Sequence, residues 1–89
     1  MILFDGWKLF DLKAQHGLPL DFAVAAIADR GYVVEWPSFI RRARENGWFD
    51  FQTIKVISQA VSDAYMDRKY AEQVVSRAKL FMLKEPLEC

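Results

Sequence analysis

"HGLPLDFAVAAIADRGYVVEWPSF", residues 16–39, crowds Gly17, Pro19, Gly31 and Pro37 around an alanine-rich run and a short β-branched one. Gly17 stands where a helix that begins near Asp5 would need a residue free of Cβ to end. Pro19 falls at the first position of the next helix, with Asp21 in its first turn against the helix dipole. Leu20, Ala23, Val24 and Ile27 follow an i, i+3, i+4, i+7 pattern. Phe22, Ala25 and Ala26 make the opposite side apolar too, which predicts a central helix closed by Arg30 and Gly31. "YVVEW", residues 32–36, reads as extended, because two adjacent valines and the residue before a proline disfavour helix. Pro37 opens a third helix that Gly47 ends.

Upstream, Asp5 is the expected N-cap of a helix to about His16, with Phe4 and Leu9 as a hydrophobic staple. Trp7, Phe10 and Ala14 then share its inward face, flanked by Leu9 and Leu12. Downstream of Gly47, neither Gly nor Pro occurs until Pro86. Asp50 is the expected cap of "FQTIKVISQAVSDAYM". Ile54, Ile57, Val61 and Ala64 form one stripe, and Ala71, Val74, Val75, Ala78 and Phe81 a second. A single helix over 51–84 would be about 51 Å long, whereas a chain of this size has a radius of gyration near ~12 Å. The helix is therefore expected to break between Asp63 and Arg68, with Asp63 or Asp67 as cap. A long helix that dimerises is the alternative, so a homodimer through the C-terminal helices stays open. The expected fold is all-α: a compact bundle of four or five short helices over residues 1–85, with a frayed tail at 86–89.

The 89 residues are 53% apolar and 15% aromatic, which supplies the large side chains that a small core needs. Twelve basic residues balance twelve acidic ones. That neutrality lowers the expectation of a dedicated duplex-DNA binder, whose affinity comes largely from phosphate neutralisation. "MILFDGWKLF" lacks a basic start and carries Asp5 and Lys8, so it does not read as a signal peptide. With no apolar run of membrane-spanning length, the expected compartment is the cytoplasm and no membrane partner is expected. Cys89 is the only cysteine and His16 the only histidine. No intrachain disulfide is possible, and neither a metal nor another cofactor is expected. His16 reads as a favourable charge at a helix C-terminus, and Asp63 and Asp67 as caps. No glycine-rich phosphate loop, nucleophile elbow or zinc motif occurs, so an enzyme is not expected.

"LFDLKAQHGLPLDFAVAAIADRGYVVEWPSF", residues 9–39, resembles a segment of alanyl-tRNA synthetases. Phe10, Leu12, Gly17, Pro19, Leu20, Asp21, Arg30, Val34 and Phe39 fall in the family's register without a gap. Ala14 stands where the family has an acid, and His16 where it has an aromatic residue. The resemblance implies a shared helix-loop-helix unit and, from the role of that segment in the family, contact with a tRNA acceptor stem. The class II catalytic motifs have no counterpart here, so aminoacylation is not implied.

"FIRRARENGW", residues 39–48, holds the densest cluster of cations. With Phe39, Ile40 and Ala43 inward, Arg41 and Arg44 are expected to point outward and Arg42 to lie at the boundary. Guanidinium forks suit phosphates and carboxylates alike; an ordinary solvated helix face is the alternative. Trp36 and Trp48 bracket this helix, as interface anchors if exposed and as core if not. Arg41, Arg42, Arg44, Trp36 and Trp48 are therefore the candidate partner-binding residues. The leading expectation is a small non-enzymatic protein-interaction module, an adaptor or an inhibitor of a larger machine. An RNA-binding, tRNA-directed helical module is the alternative. A DNA-binding helix-turn-helix regulator comes third, because its turn wants about three to four residues and "GYVVEW" is longer.

Overall fold

The structure, a computed structural model, describes residues 2–64 and 67–85. Its elements are β1 (Ile2–Asp5), α1 (Gly6–His16), α2 (Leu20–Asp29), β2 (Tyr32–Glu35), α3 (Trp36–Glu45), α4 (Asp50–Ala64) and α5 (Arg68–Lys84). The molecule is mostly helical, but it is not purely all-α. β1 and β2 pair in parallel, with Ile2 opposite Tyr32 and Asp5 opposite Glu35. Parallel strands need a long crossover, and α1 and α2 supply it. β2 coincides with the segment read as extended. β1 lies in the stretch read as the approach to α1, because a parallel partner thirty residues away leaves no local signature.

Helix ends follow local chemistry closely. Gly17 takes φ 65° at the C-cap of α1, and its N–H donates to the Leu12 carbonyl. Gly31 and Gly47 also have positive φ. Pro19 is the residue before α2, one position earlier than expected, and Asp21 is in the first turn. Asp67 caps α5, its Oδ1 accepting from the N–H of Lys69 at 3.0 Å and of Tyr70 at 3.4 Å. The expected break therefore separates α4 from α5, which pack against each other rather than forming one rod. Such a rod would exceed the longest molecular dimension, 38 Å. Tyr65, Met66 and the expected tail at 86–89 lie outside the described residues.

Two expected caps differ. Asp5 occupies the N-cap position of α1, yet its side chain makes no capping bond. Glu35 serves both α1 and α3 instead. Its carboxylate accepts from the Gly6 N–H at 3.3 Å and from the Ser38 N–H at 2.7 Å, and the Ser38 hydroxyl donates to it. The Ser38 hydroxyl oxygen also accepts from the Trp7 N–H at 3.0 Å. Gly6 allows this closeness: a Cβ there would lie 2.1 Å from the Glu35 carbonyl oxygen and 2.6 Å from the Phe39 nitrogen. Asp50 is the first residue of α4 and gives its carboxylate to Arg44, while Gln52 Oε1 accepts from the Phe49 N–H at 3.1 Å.

The core runs along a chain of edge-to-face rings, Trp36–Phe39–Phe10–Trp48, with centroids 5.2–5.4 Å apart. This spacing suits the quadrupoles of the rings. Leu20, Val24, Ile27 and Phe39 are buried as expected. Ile54 is only half-buried, because Thr53 and Ile57 take the inward positions of α4. Thr53 is tolerated there since its hydroxyl donates to the Phe49 carbonyl at 3.3 Å. In α1 the buried pair is Leu9 and Phe10; Trp7 and Ala14 face outward, because the contact of Gly6 with α3 fixes the helix rotation. Phe22 is exposed, so α2 is covered by α4 and β2 on one side and meets solvent on the other. Among the described residues no helix is long and apolar enough to cross a membrane.

Candidate partner-binding surface

The three arginines of α3 have three different fates. Arg41 is exposed and makes a two-pronged pair with Glu85, Nε and Nη2 each 2.9 Å from a carboxylate oxygen. That guanidinium holds the Glu85 carboxyl below the usual carboxylate range. It also lies 5.4 Å from the Phe81 ring centre. Arg42 spans Asp11 at 3.2 Å and Glu45 at 3.5 Å, and sits 5.6 Å from the Trp7 ring centre. Its Nε is the one buried side-chain nitrogen or oxygen without a hydrogen-bond partner among the described residues.

Arg44 does not point outward. Its side chain is 8% exposed and forks onto Asp50, with Nε 3.0 Å from Oδ1 and Nη2 2.9 Å from Oδ2. The other donors reach the carbonyls of Met82 and Glu85, at the C-terminal end of α5. Those carbonyls have no intrahelical partner, so a cation satisfies them both by hydrogen bonding and through the helix dipole. Arg44 follows Ile40 by four residues and therefore borders the buried stripe of α3. The ends of α4 and α5 close over it. Its hydrogen bonds hold the Asp50 carboxyl below the usual carboxylate range, with burial opposing.

The tryptophans also part company. Trp36 is buried at the end of the ring chain, while Trp48 is half-buried against Phe10 with Lys13 5.8 Å from its ring centre. Neither is a free anchor. The large apolar groups that do reach solvent lie elsewhere. Phe49 and Phe51 are 65% and 72% exposed, and their rings stack 5.7 Å apart at an interplanar angle of 7°. "WFDF", residues 48–51, carries the sequence signal: three aromatic residues within four positions at a helix start cannot all turn inward.

A groove of about 350 Å³ runs between the sheet, α3 and α5. Leu3, Val33, Trp36, Val74 and Phe81 give it apolar walls, with Glu35 and Arg77 among its lining. Arg77 was not among the residues singled out from the sequence, because on α5 it reads as one more solvated cation. His16 is exposed at the end of α1. Among the described residues no three His, Cys, Asp or Glu side chains are grouped to hold a metal ion. Comparisons with protein families, curated proteins and solved structures give no match to this chain.

Proposed function

We propose that the chain is a small non-enzymatic protein-interaction module, an adaptor or an inhibitor of a larger assembly. The observation that carries this reading is the stacked Phe49–Phe51 pair left in water by an otherwise well-filled core. Covering both rings on a partner contributes about 2 to 4 kcal/mol of transfer free energy, before the costs of association. Aromatic side chains of this kind are enriched at interfaces.

The RNA-directed alternative rests on the resemblance of residues 9–39 to alanyl-tRNA synthetases and on the arginines of α3. Each of those arginines is already neutralised by a carboxylate of the same chain. A phosphate would have to displace Glu85, Asp11 or Asp50, so the cationic face contributes little of the counterion release on which nucleic-acid affinity depends.

Affinity capture from native cell extract, with and without ribonuclease, tests the reading. The parent chain is compared with a Phe49→Ser/Phe51→Ser variant, both sites being exposed enough to spare the fold. Protein partners that survive the nuclease and disappear with the variant support the proposal. Loss of all captured material on nuclease treatment refutes it and favours the RNA alternative.

A further inference from the structure

The groove between the sheet and α5 combines an apolar interior with a cation that forms no ion pair among the described residues. Leu3 lines it while remaining 60% exposed, so apolar surface already stands in water at its mouth. The two charged lining residues are in opposite situations. The Glu35 carboxylate is committed to the N-terminal N–H groups of α1 and α3. Arg77 is exposed and forms no ion pair among the described residues. Lys84 lies seven residues on, on the same flank of α5. Neither Arg77 nor Lys84 takes part in an ion pair among the described residues, and the one acid within α5, Glu72, lies on another side of the helix. Arg77 and Lys84 thus give the groove-side edge of α5 two cations without an ion pair among the described residues, in a chain of no net charge.

We infer that this groove receives an acidic, apolar peptide segment of a partner protein. A bulky apolar side chain of the segment enters between Leu3, Val33, Val74 and Phe81, and an adjacent carboxylate meets Arg77. Charge complementarity selects the occupant. The basic flank draws an acidic segment and repels a basic one, and desolvation of the apolar walls holds it once docked. The inference rests on the protein-interaction reading and adds a second contact surface, lined by neither Phe49 nor Phe51, and the chemistry of the segment it takes.

Selection from a random twelve-residue peptide display library tests it, with counter-selection on a Leu3→Ser/Arg77→Glu variant. Both positions are exposed, and circular dichroism checks that the variant is folded. Peptides retained only by the parent are expected to be rich in Asp or Glu beside Leu, Ile or Phe. The most enriched of them, made synthetically, should bind the Arg77→Glu chain about tenfold more weakly and lose affinity as salt is raised. Absence of any groove-dependent peptide overturns the inference, as does enrichment of neutral or basic ones. Binding of a mixed-sequence single-stranded RNA that falls with Arg77→Glu, where no peptide binds, overturns it in favour of a nucleic-acid surface. The two readings fail separately: absence of groove-dependent peptides overturns the groove assignment, while nuclease-resistant partners lost only with Phe49→Ser/Phe51→Ser leave the interaction-module reading standing.

Discussion

Replacing Arg44 by Ala should cost this protein about 2 to 4 kcal/mol of folding stability. The side chain makes two charge-assisted hydrogen bonds to Asp50 and reaches the terminal carbonyls of α5. Hydrogen bonds to charged groups are worth about 1.5 to 3 kcal/mol each. The lower end applies because the Asp50 side chain is 39% exposed and water can replace part of what it loses. A domain of this length holds roughly 4 to 13 kcal/mol in total, so the substitution removes a large share. Urea melts followed by circular dichroism measure it, with the midpoint lowered and the slope unchanged. A cycle with Asp50→Ala should show a coupling of at least ~1 kcal/mol. Arg41→Ala, which breaks an exposed pair, should shift the midpoint far less. Equal effects at Arg41 and Arg44, or a loss under about 0.5 kcal/mol at Arg44, would refute the structural role. The same geometry corrects the expectation that Arg44 points outward beside Arg41. Arg44→Glu would set a carboxylate against Asp50 and against the negative end of α5.

The remaining predictions concern acid, close packing, core volume and capping. Because Arg44 lowers the Asp50 pKa in the folded state, the unfolded chain binds this proton first. The contribution is complete above the ordinary value of 3.8 and is lost as pH falls through the folded value; Asp50→Asn should flatten that loss in melts across the acid range. Gly6→Ala should destabilise by about 2 to 3 kcal/mol, since the new methyl meets backbone of β2 and α3, and an unchanged melt would show that the two helices do not approach there. Ile27→Ala should cost roughly 2 to 5 kcal/mol through lost burial and a cavity, and a loss under ~1 kcal/mol would place its side chain outside the core. Asp67→Ala should cost about 1 kcal/mol by leaving the first N–H groups of α5 without an acceptor, with amide exchange at Lys69 and Tyr70 speeding up first.

Local signals in the sequence were enough to place the breaks between elements. Gly17 and Gly47 end helices because each takes a backbone conformation that side chains disfavour, and Asp67 starts one because its carboxylate reaches two N–H groups next to it in the chain. The extended character of Tyr32–Glu35 and the inward phase of Leu20, Val24 and Ile27 were legible for the same reason: both depend on neighbours within two turns. Tertiary structure decided the rest. Whether Trp7 or Leu9 turned inward depended on how closely Gly6 let α1 approach α3, a contact across some thirty residues. The pairing of β1 with β2 needed α1 and α2 to fold between them. Arg44 and Arg41 belong to one charged helical face in sequence, but the ends of α4 and α5 cover the first and leave the second in water. Backbone preference and capping act over a few residues, so the sequence displays them directly; burial and charge pairing arise only when distant segments meet, and here they decided that Arg44 is enclosed within the fold while Arg41 stays exposed.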